Sequence, residues 1–236
     1  MRIVTLASVR GAPGVTTTSL LLASTFEDSV VVEADLDGGV LAVRYGLGRE
    51  PGLTTFAAAG VDDTEGWRAH AQDAGGVPVL VGPDAPGASA AFWQSAGERI
   101  AHRLAGADGV AVVDAGRMRA PVPLVTVSDL LVLLVCPVAD QLVALTHAVP
   151  KLRQAIRGGV SVVLVGDGPY RRHDVEQSLD LPVIGTLPDD QPAAVALRDG
   201  GLSRARLARS RLARAVTALA GEVSAALDAP AEVALP

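Results

Sequence analysis

The sequence predicts a mostly parallel, doubly wound α/β sheet with helices on both faces. Short Val-rich runs recur along the chain without polar alternation, as strands buried on both faces do. Between them lie longer stretches whose apolar residues return at helical spacing. The composition agrees: 49% of the 236 residues are hydrophobic, 19% are charged and 3% are aromatic, which suits Val-rich strands under Ala- and Leu-rich helices and excludes disorder.

In chain order, the strands expected are Ile3 to Ala7, Val30 to Val32, Val110 to Val113, Leu130 to Val135 and Val160 to Val165. Val77 to Val81 and Val183 to Leu187 are weaker candidates. Helical patterns cover Thr17 to Phe26, Ala88 to Leu104, Ala139 to Ile156 and a shorter stretch from His173 to Leu179. Near the end, Leu212, Val216, Leu219, Val223 and Leu227 recur at helical spacing and should face the core. No internal repeat or long linker divides the chain, so residues 1–228 read as one domain and 229–236 as a frayed tail.

Several function classes are excluded early. A net charge of −6 gives no global case for nucleic-acid binding. The single cysteine, Cys136, rules out a disulfide framework and reads as a buried thiol in a reducing cytoplasm. The longest apolar run, about ten residues, is too short to span a bilayer, and the first residues do not read as a secretory leader. His70, His102, His147 and His173 show no metal-ligand spacing. Trp67 and Trp93 read as packing residues.

Ligands of such sheets sit beyond the carboxyl ends of the strands. The first strand end carries Ser8-Val9-Arg10-Gly11-Ala12-Pro13-Gly14-Val15-Thr16-Thr17-Thr18 and leads straight into a helix. Small residues let that backbone curl its N–H groups inward, and the helix N-terminus adds positive potential, which outlines a phosphate cradle. Against the phosphate-loop pattern G-x-x-x-x-G-K-[ST], Gly14 and Thr16 match, whereas Val9 and Val15 stand at the first Gly and the Lys. The second strand leads into Glu33-Ala34-Asp35, and a third into Asp114-Ala115-Gly116, a carboxylate at a strand tip as Mg²⁺ coordination requires.

Taken in order, these segments resemble the ParA/MinD family of deviant Walker-type P-loop ATPases. Arg10-Gly11-Ala12-Pro13-Gly14-Val15-Thr16-Thr17 covers that family's K-G-G-x-G-K-T-T loop, and Glu33-Ala34-Asp35 its D-x-D strand end. Asp114-Ala115-Gly116 covers D-T-P, and Ser128-Asp129 through Val135-Cys136-Pro137 its later apolar strand followed by a Pro. Val183 to Asp190, with Pro188, is similar to the adenine-side segment. The resemblance implies a P-loop NTPase-like sheet that takes ATP and Mg²⁺ at residues 10–17 and at Pro188. It places Thr16, Asp35 and Asp114 on the metal side and gives Asp35 the role of assisting the attacking water.

The departures carry as much weight. The family uses two loop lysines, one holding the β- and γ-phosphates and one reaching across a dimer; here they are Val15 and Arg10. Lys151 is the only lysine in the chain, so no other lysine in the loop can substitute. An isopropyl group gives a triphosphate neither charge nor hydrogen bond, and loss of such a donor costs about 10²- to 10³-fold in rate. Arg10 keeps a charge that can fork onto phosphate.

Arg204, Arg206, Arg209, Arg211 and Arg214 form an acid-free basic stretch. It reads either as a solvated helix face or as a weak, nonspecific DNA contact of the kind found in partition ATPases. The C-terminal tail lacks the bulky and basic residues of a membrane-binding helix. The leading expectation is therefore a cytoplasmic, ParA/MinD-like spatial-organisation or scaffold protein, a homodimer acting on a protein partner. It should bind nucleotide weakly or not at all, with little hydrolysis. The alternative is an active partitioning ATPase in which Arg10 compensates and a partner or DNA stimulates turnover.

Overall fold

A computed structural model describes residues 1–11, 14–60, 63, 65–198 and 209–228. The expected sites Ala12, Pro13, Arg204 and Arg206 and the tail 229–236 lie outside the described residues.

Eight strands form one sheet: β1 (Arg2–Ser8), β2 (Ser29–Glu33), β3 (Gln72–Asp73), β4 (Pro78–Leu80), β5 (Val110–Arg117), β6 (Leu130–Val135), β7 (Gly159–Val165) and β8 (Val183–Leu187). Their order is β3-β4-β2-β5-β1-β6-β7-β8. All pairs are parallel except β3 with β4, an antiparallel edge that the sequence did not announce. The helices are α1 (Val15–Ala23), α2 (Leu41–Tyr45), α3 (Leu53–Ala58), α4 (Pro86–Ala105), α5 (Pro123–Thr126), α6 (Ala139–Ala155), α7 (Arg172–Leu179), α8 (Gln191–Arg198) and α9 (Arg211–Asp228).

The strand runs lack alternation because both faces of the sheet are covered. Along β6, Leu131, Leu133 and Val135 enter the core beneath α4 and α6, where Trp93, Ile100, Leu145 and Leu152 pack. Leu130, Val132 and Leu134 point the other way, into the core beneath α1 and α9 with Leu20, Leu22, Val216 and Val223. The period of two is thus present, with both phases apolar. Helix α9 buries Leu212, Val216, Leu219, Val223 and Leu227, the face its spacing predicts.

Four expectations need correction. Helix α1 begins at Val15 and ends at Ala23, earlier at both ends than expected. Its end is set by Ser24 and Thr25, whose hydroxyls donate back to the Leu21 and Leu22 carbonyls (2.7 and 2.6 Å) and compete with further helix. Strand β5 runs to Arg117, so Asp114 lies within it rather than at its tip. Cys136 is half-buried, not buried, because it stands past the end of β6. The short α2, α3, α5 and α8 have too few turns to show a helical period in sequence. Trp67 and Trp93 are buried, as packing residues should be.

Candidate phosphate and magnesium site

The sheet order turns at β1: the chain leaves it for β2 on one side and later returns to β6 on the other. The loop after β1 therefore opens at the switch point, between the ends of β5 and β6. Gly14 caps α1 in the left-handed conformation (φ 80°, ψ 32°), and a Cβ there would meet nothing within 4 Å. Its carbonyl accepts the Thr18 N–H at 2.8 Å. On the β6 side the loop rests on α6: a Cβ at Gly11 would stand 2.9 Å from Gln141 Nε2. Gln141 Oε1 in turn accepts the Cys136 N–H at 2.9 Å. Arg10 Nε lies 3.4 Å from Asp140 Oδ2, with both side chains 62% exposed.

Thr16 and Thr17 are half-buried, and the Thr16 side chain lies near the Asp114 carboxyl, which it favours in the charged form. Val15, where the resemblance expects a lysine, is 5% exposed and belongs to the apolar core beneath α1 and α9. It adds packing to the helix start and nothing polar to the loop.

Three carboxylates converge from the neighbouring ends of β2 and β5, where Glu33 is the register partner of Asp114. Asp114 is 1% exposed, and its Oδ1 accepts the Gly116 N–H at 3.1 Å. Burial pushes its carboxyl up to about 7; Thr16 and the Gly116 N–H oppose this, and the charges of Glu33 and Asp35 add to it. Glu33 is equally buried but saturated: Oε1 accepts the Val40 and Leu41 N–H groups (2.5 and 2.8 Å) and Oε2 that of Gly82 (3.0 Å). Burial raises its pKa against those three bonds. Glu33 thus ties the loops after β2 and β4 together. Asp35 is half-buried and raised chiefly by burial; its Oδ1 accepts the Asp37 N–H at 2.8 Å. Its carboxylate packs on Gly116 so closely that a Cβ there, at φ 51°, would collide with it.

Arg10, Gly11, Gly14, Thr16 and Thr17 lie on the loop after β1 and the start of α1, with Asp35 just past β2 and Asp114 within β5; Val15 turns into the core. Pro188 follows β8, at the carboxyl edge of the sheet but three strands away from β1. Arg209, Arg211 and Arg214 are exposed, and the Asp190 carboxylate accepts the Arg211 and Leu212 N–H groups that open α9. Among the described residues no group of three or more His, Cys, Asp or Glu forms a ready metal cage. A magnesium ion that keeps waters and borrows phosphate oxygens needs none.

The sequence reading passed over Arg117 and Arg119. Both pair with Asp37, at 3.0 Å to Oδ2 and 3.2 Å to Oδ1. The signal was present as Asp114-Ala115-Gly116-Arg117-Met118-Arg119, two arginines directly behind the carboxylate segment. No described helix is long and apolar enough to cross a membrane.

No family model matches the sequence, and no curated protein matches it either. Solved structures do. A ParA family ATPase from Chlorobium tepidum TLS superposes with TM-score 0.77 at 16% identity, over 93% of this chain and 97% of that one. The septum site-determining protein MinD of Pyrococcus horikoshii OT3, complexed with Mg-ADP, gives 0.69 at 18% identity over 94% and 95%. MinD of Aquifex aeolicus in a MinC:MinD complex gives 0.70 at 15% identity over 95% and 96%. The chain therefore has the fold of the ParA/MinD P-loop ATPases.

Proposed function

We propose that this chain is a ParA/MinD-type positioning or scaffold protein that binds Mg-ATP weakly, turns it over little or not at all, and works in the cytoplasm as a homodimer with a protein partner. One observation carries the reading: within a single helix turn, Thr16 stands near the buried Asp114 while Val15 is sunk in the apolar core. The magnesium-side parts of the loop are kept and the phosphate clamp is replaced.

The residues fit a magnesium nucleotide in part. The open space beside Gly14 and the N–H groups of the first turn of α1 suit phosphate oxygens. The Thr16 hydroxyl and Asp114 suit the metal, and Asp35 at the rim can orient a water. Magnesium, when bound, supplies the charge that offsets the phosphates and holds Asp114 ionised. Position 15 does not fit: it offers no donor to the charge that develops on phosphoryl transfer, so no hydrolytic step is derived. The solved MinC:MinD complex supports a protein partner by analogy of fold.

The test is calorimetric titration with Mg-ATP, with phosphate release followed on the same sample. Binding without release is expected. Steady turnover would transfer the case to the ATPase reading, which the exposed, weakly held Arg10 favours, and Asp35→Ala should then abolish it. A DNA contact through the exposed Arg209 predicts that Arg206→Glu with Arg209→Glu abolishes retention on DNA in low salt; unchanged retention removes that contact.

A further inference from the structure

Arg117 and Arg119 share one partner, the carboxylate of Asp37. The segment carrying them is fixed by its neighbours. The Met118 N–H donates to the Ser8 carbonyl at 2.8 Å, and the Met118 side chain is buried. Ser8 is the register partner of Arg117 and the residue from which the phosphate loop departs. Just before it, the left-handed Gly116 lets Asp35 close onto the strand. Residues 117 and 119 point the same way, as their shared partner Asp37 shows. Two guanidiniums are therefore anchored beside the residue from which the loop departs, near enough to Asp35 to favour its charged form.

Their bonding is lopsided. Two cations share one carboxylate, and all three side chains are open to water, at 48%, 66% and 36% exposure. Exposed pairs of this kind contribute little to stability and exchange readily. Both arginines also reach beyond Asp37: the half-buried Asp35 is held partly toward its charged form by Arg117 and Arg119. A polyanion entering the loop offers these guanidiniums several oxygens in forked geometry where Asp37 offers two.

We propose that Arg117 and Arg119 are the cationic clamp of this site, gripping the terminal phosphates of a magnesium nucleoside triphosphate where Val15 supplies nothing, and that Asp37 competes with those phosphates for them. The inference rests on the nucleotide reading above and adds the residues that make it feasible. Arg117 ends β5 and Arg119 follows two residues on, so the clamp is built from a different element than the lysine it replaces. Asp37 then acts as a resident competitor that weakens binding.

The test is titration of the full chain with Mg-ATP and, separately, Mg-ADP. Arg117→Gln with Arg119→Gln should weaken Mg-ATP by at least about tenfold, as loss of charge-assisted bonds does, and Mg-ADP much less. Arg68→Gln with Arg153→Gln removes the same charge from exposed sites elsewhere and should change neither. Asp37→Asn should tighten Mg-ATP severalfold. Melting curves report whether each variant folds; if the double variant does not, Arg119→Gln alone carries the test, since Arg119 makes one exposed ion pair. Unchanged Mg-ATP affinity in the arginine variant overturns the clamp and leaves the nucleotide site standing. Equal loss for ATP and ADP overturns the assignment to the terminal phosphates. Failure of the unaltered chain to bind Mg-ATP at millimolar concentration overturns both the clamp and the reading it rests on.

Discussion

The two flanks of the loop after β1 are built differently. On the β2/β5 flank, Glu33 and Asp114 are buried, and together their carboxyls take four backbone N–H bonds. On the β6 flank the contacts are a 3.4 Å ion pair between exposed Arg10 and Asp140 and the amide of Gln141 under Gly11. Buried, fully bonded polar groups hold one geometry, because any departure leaves a donor or charge without a partner in low dielectric. Exposed pairs hold none in particular. The difference teaches that the metal-side half of the site is part of the folded core. The half facing α6 can be altered without the fold registering it.

The comparison is broken most severely at Glu33. Glu33→Ala leaves the buried Leu41 N–H and the part-buried Val40 and Gly82 N–H groups without acceptors, at about 1–3 kcal/mol each. A loss of about 5 kcal/mol is expected in denaturant unfolding. A loss below ~1 kcal/mol would mean that the β2/β5 flank is not the rigid half.

At Asp114 the same burial predicts a pH dependence. Its carboxyl titrates near 7 in the fold and near 3.8 unfolded, so between those values the folded chain binds more protons. Stability should accordingly fall as pH rises from about 4 to 7, by at most ~4 kcal/mol, with Asp35 and Glu33 shifted in the same direction. Asp114→Asn should flatten that decline and melt higher than the unaltered chain at pH 8. Coincident melting profiles across this range would show that Asp114 is ionised in the fold.

Much of this was legible beforehand. The Val-rich strands and the apolar faces of α4, α6 and α9 were visible because each repeats over several turns or fills a whole strand. Thr16 and Asp114 were visible because a loop pattern and a strand end place them. Glu33 was quoted only as a motif position: a carboxylate that accepts from the backbone of residues 40, 41 and 82 leaves no mark in local sequence. Arg117 and Arg119 were visible as letters, but their bond to Asp37 spans eighty residues. The short edge β3–β4 was illegible for the opposite reason, since two or three residues carry no period.

Val15→Lys sharpens the comparison from the other side. The substitution lifts an apolar side chain out of the core beneath α1 and returns a mobile cation to the loop. About a tenfold gain in Mg-ATP affinity is expected, with a small loss in melting temperature from the vacated packing. If affinity stays flat while the protein remains folded, the loop's shape, and not the missing charge, limits binding.

The smallest effect belongs to Arg10. It is two-thirds exposed, and its one ion pair, with Asp140, is long at 3.4 Å. Such a pair trades side-chain freedom for a screened attraction, so Arg10→Ala should cost no more than about 0.5 kcal/mol in unfolding. That near-silence makes the variant useful: any change in Mg-ATP affinity or dimer mass then reports a contact of Arg10 with a ligand or a second copy, undistorted by damage to the fold. A large stability loss would instead make the α6 flank as integral as the carboxylate flank, and the contrast between the two halves of the loop would fail. With stability intact and nucleotide affinity unchanged, phosphate binding would depend on the residues of β5 and not on the arginine at the loop's entrance.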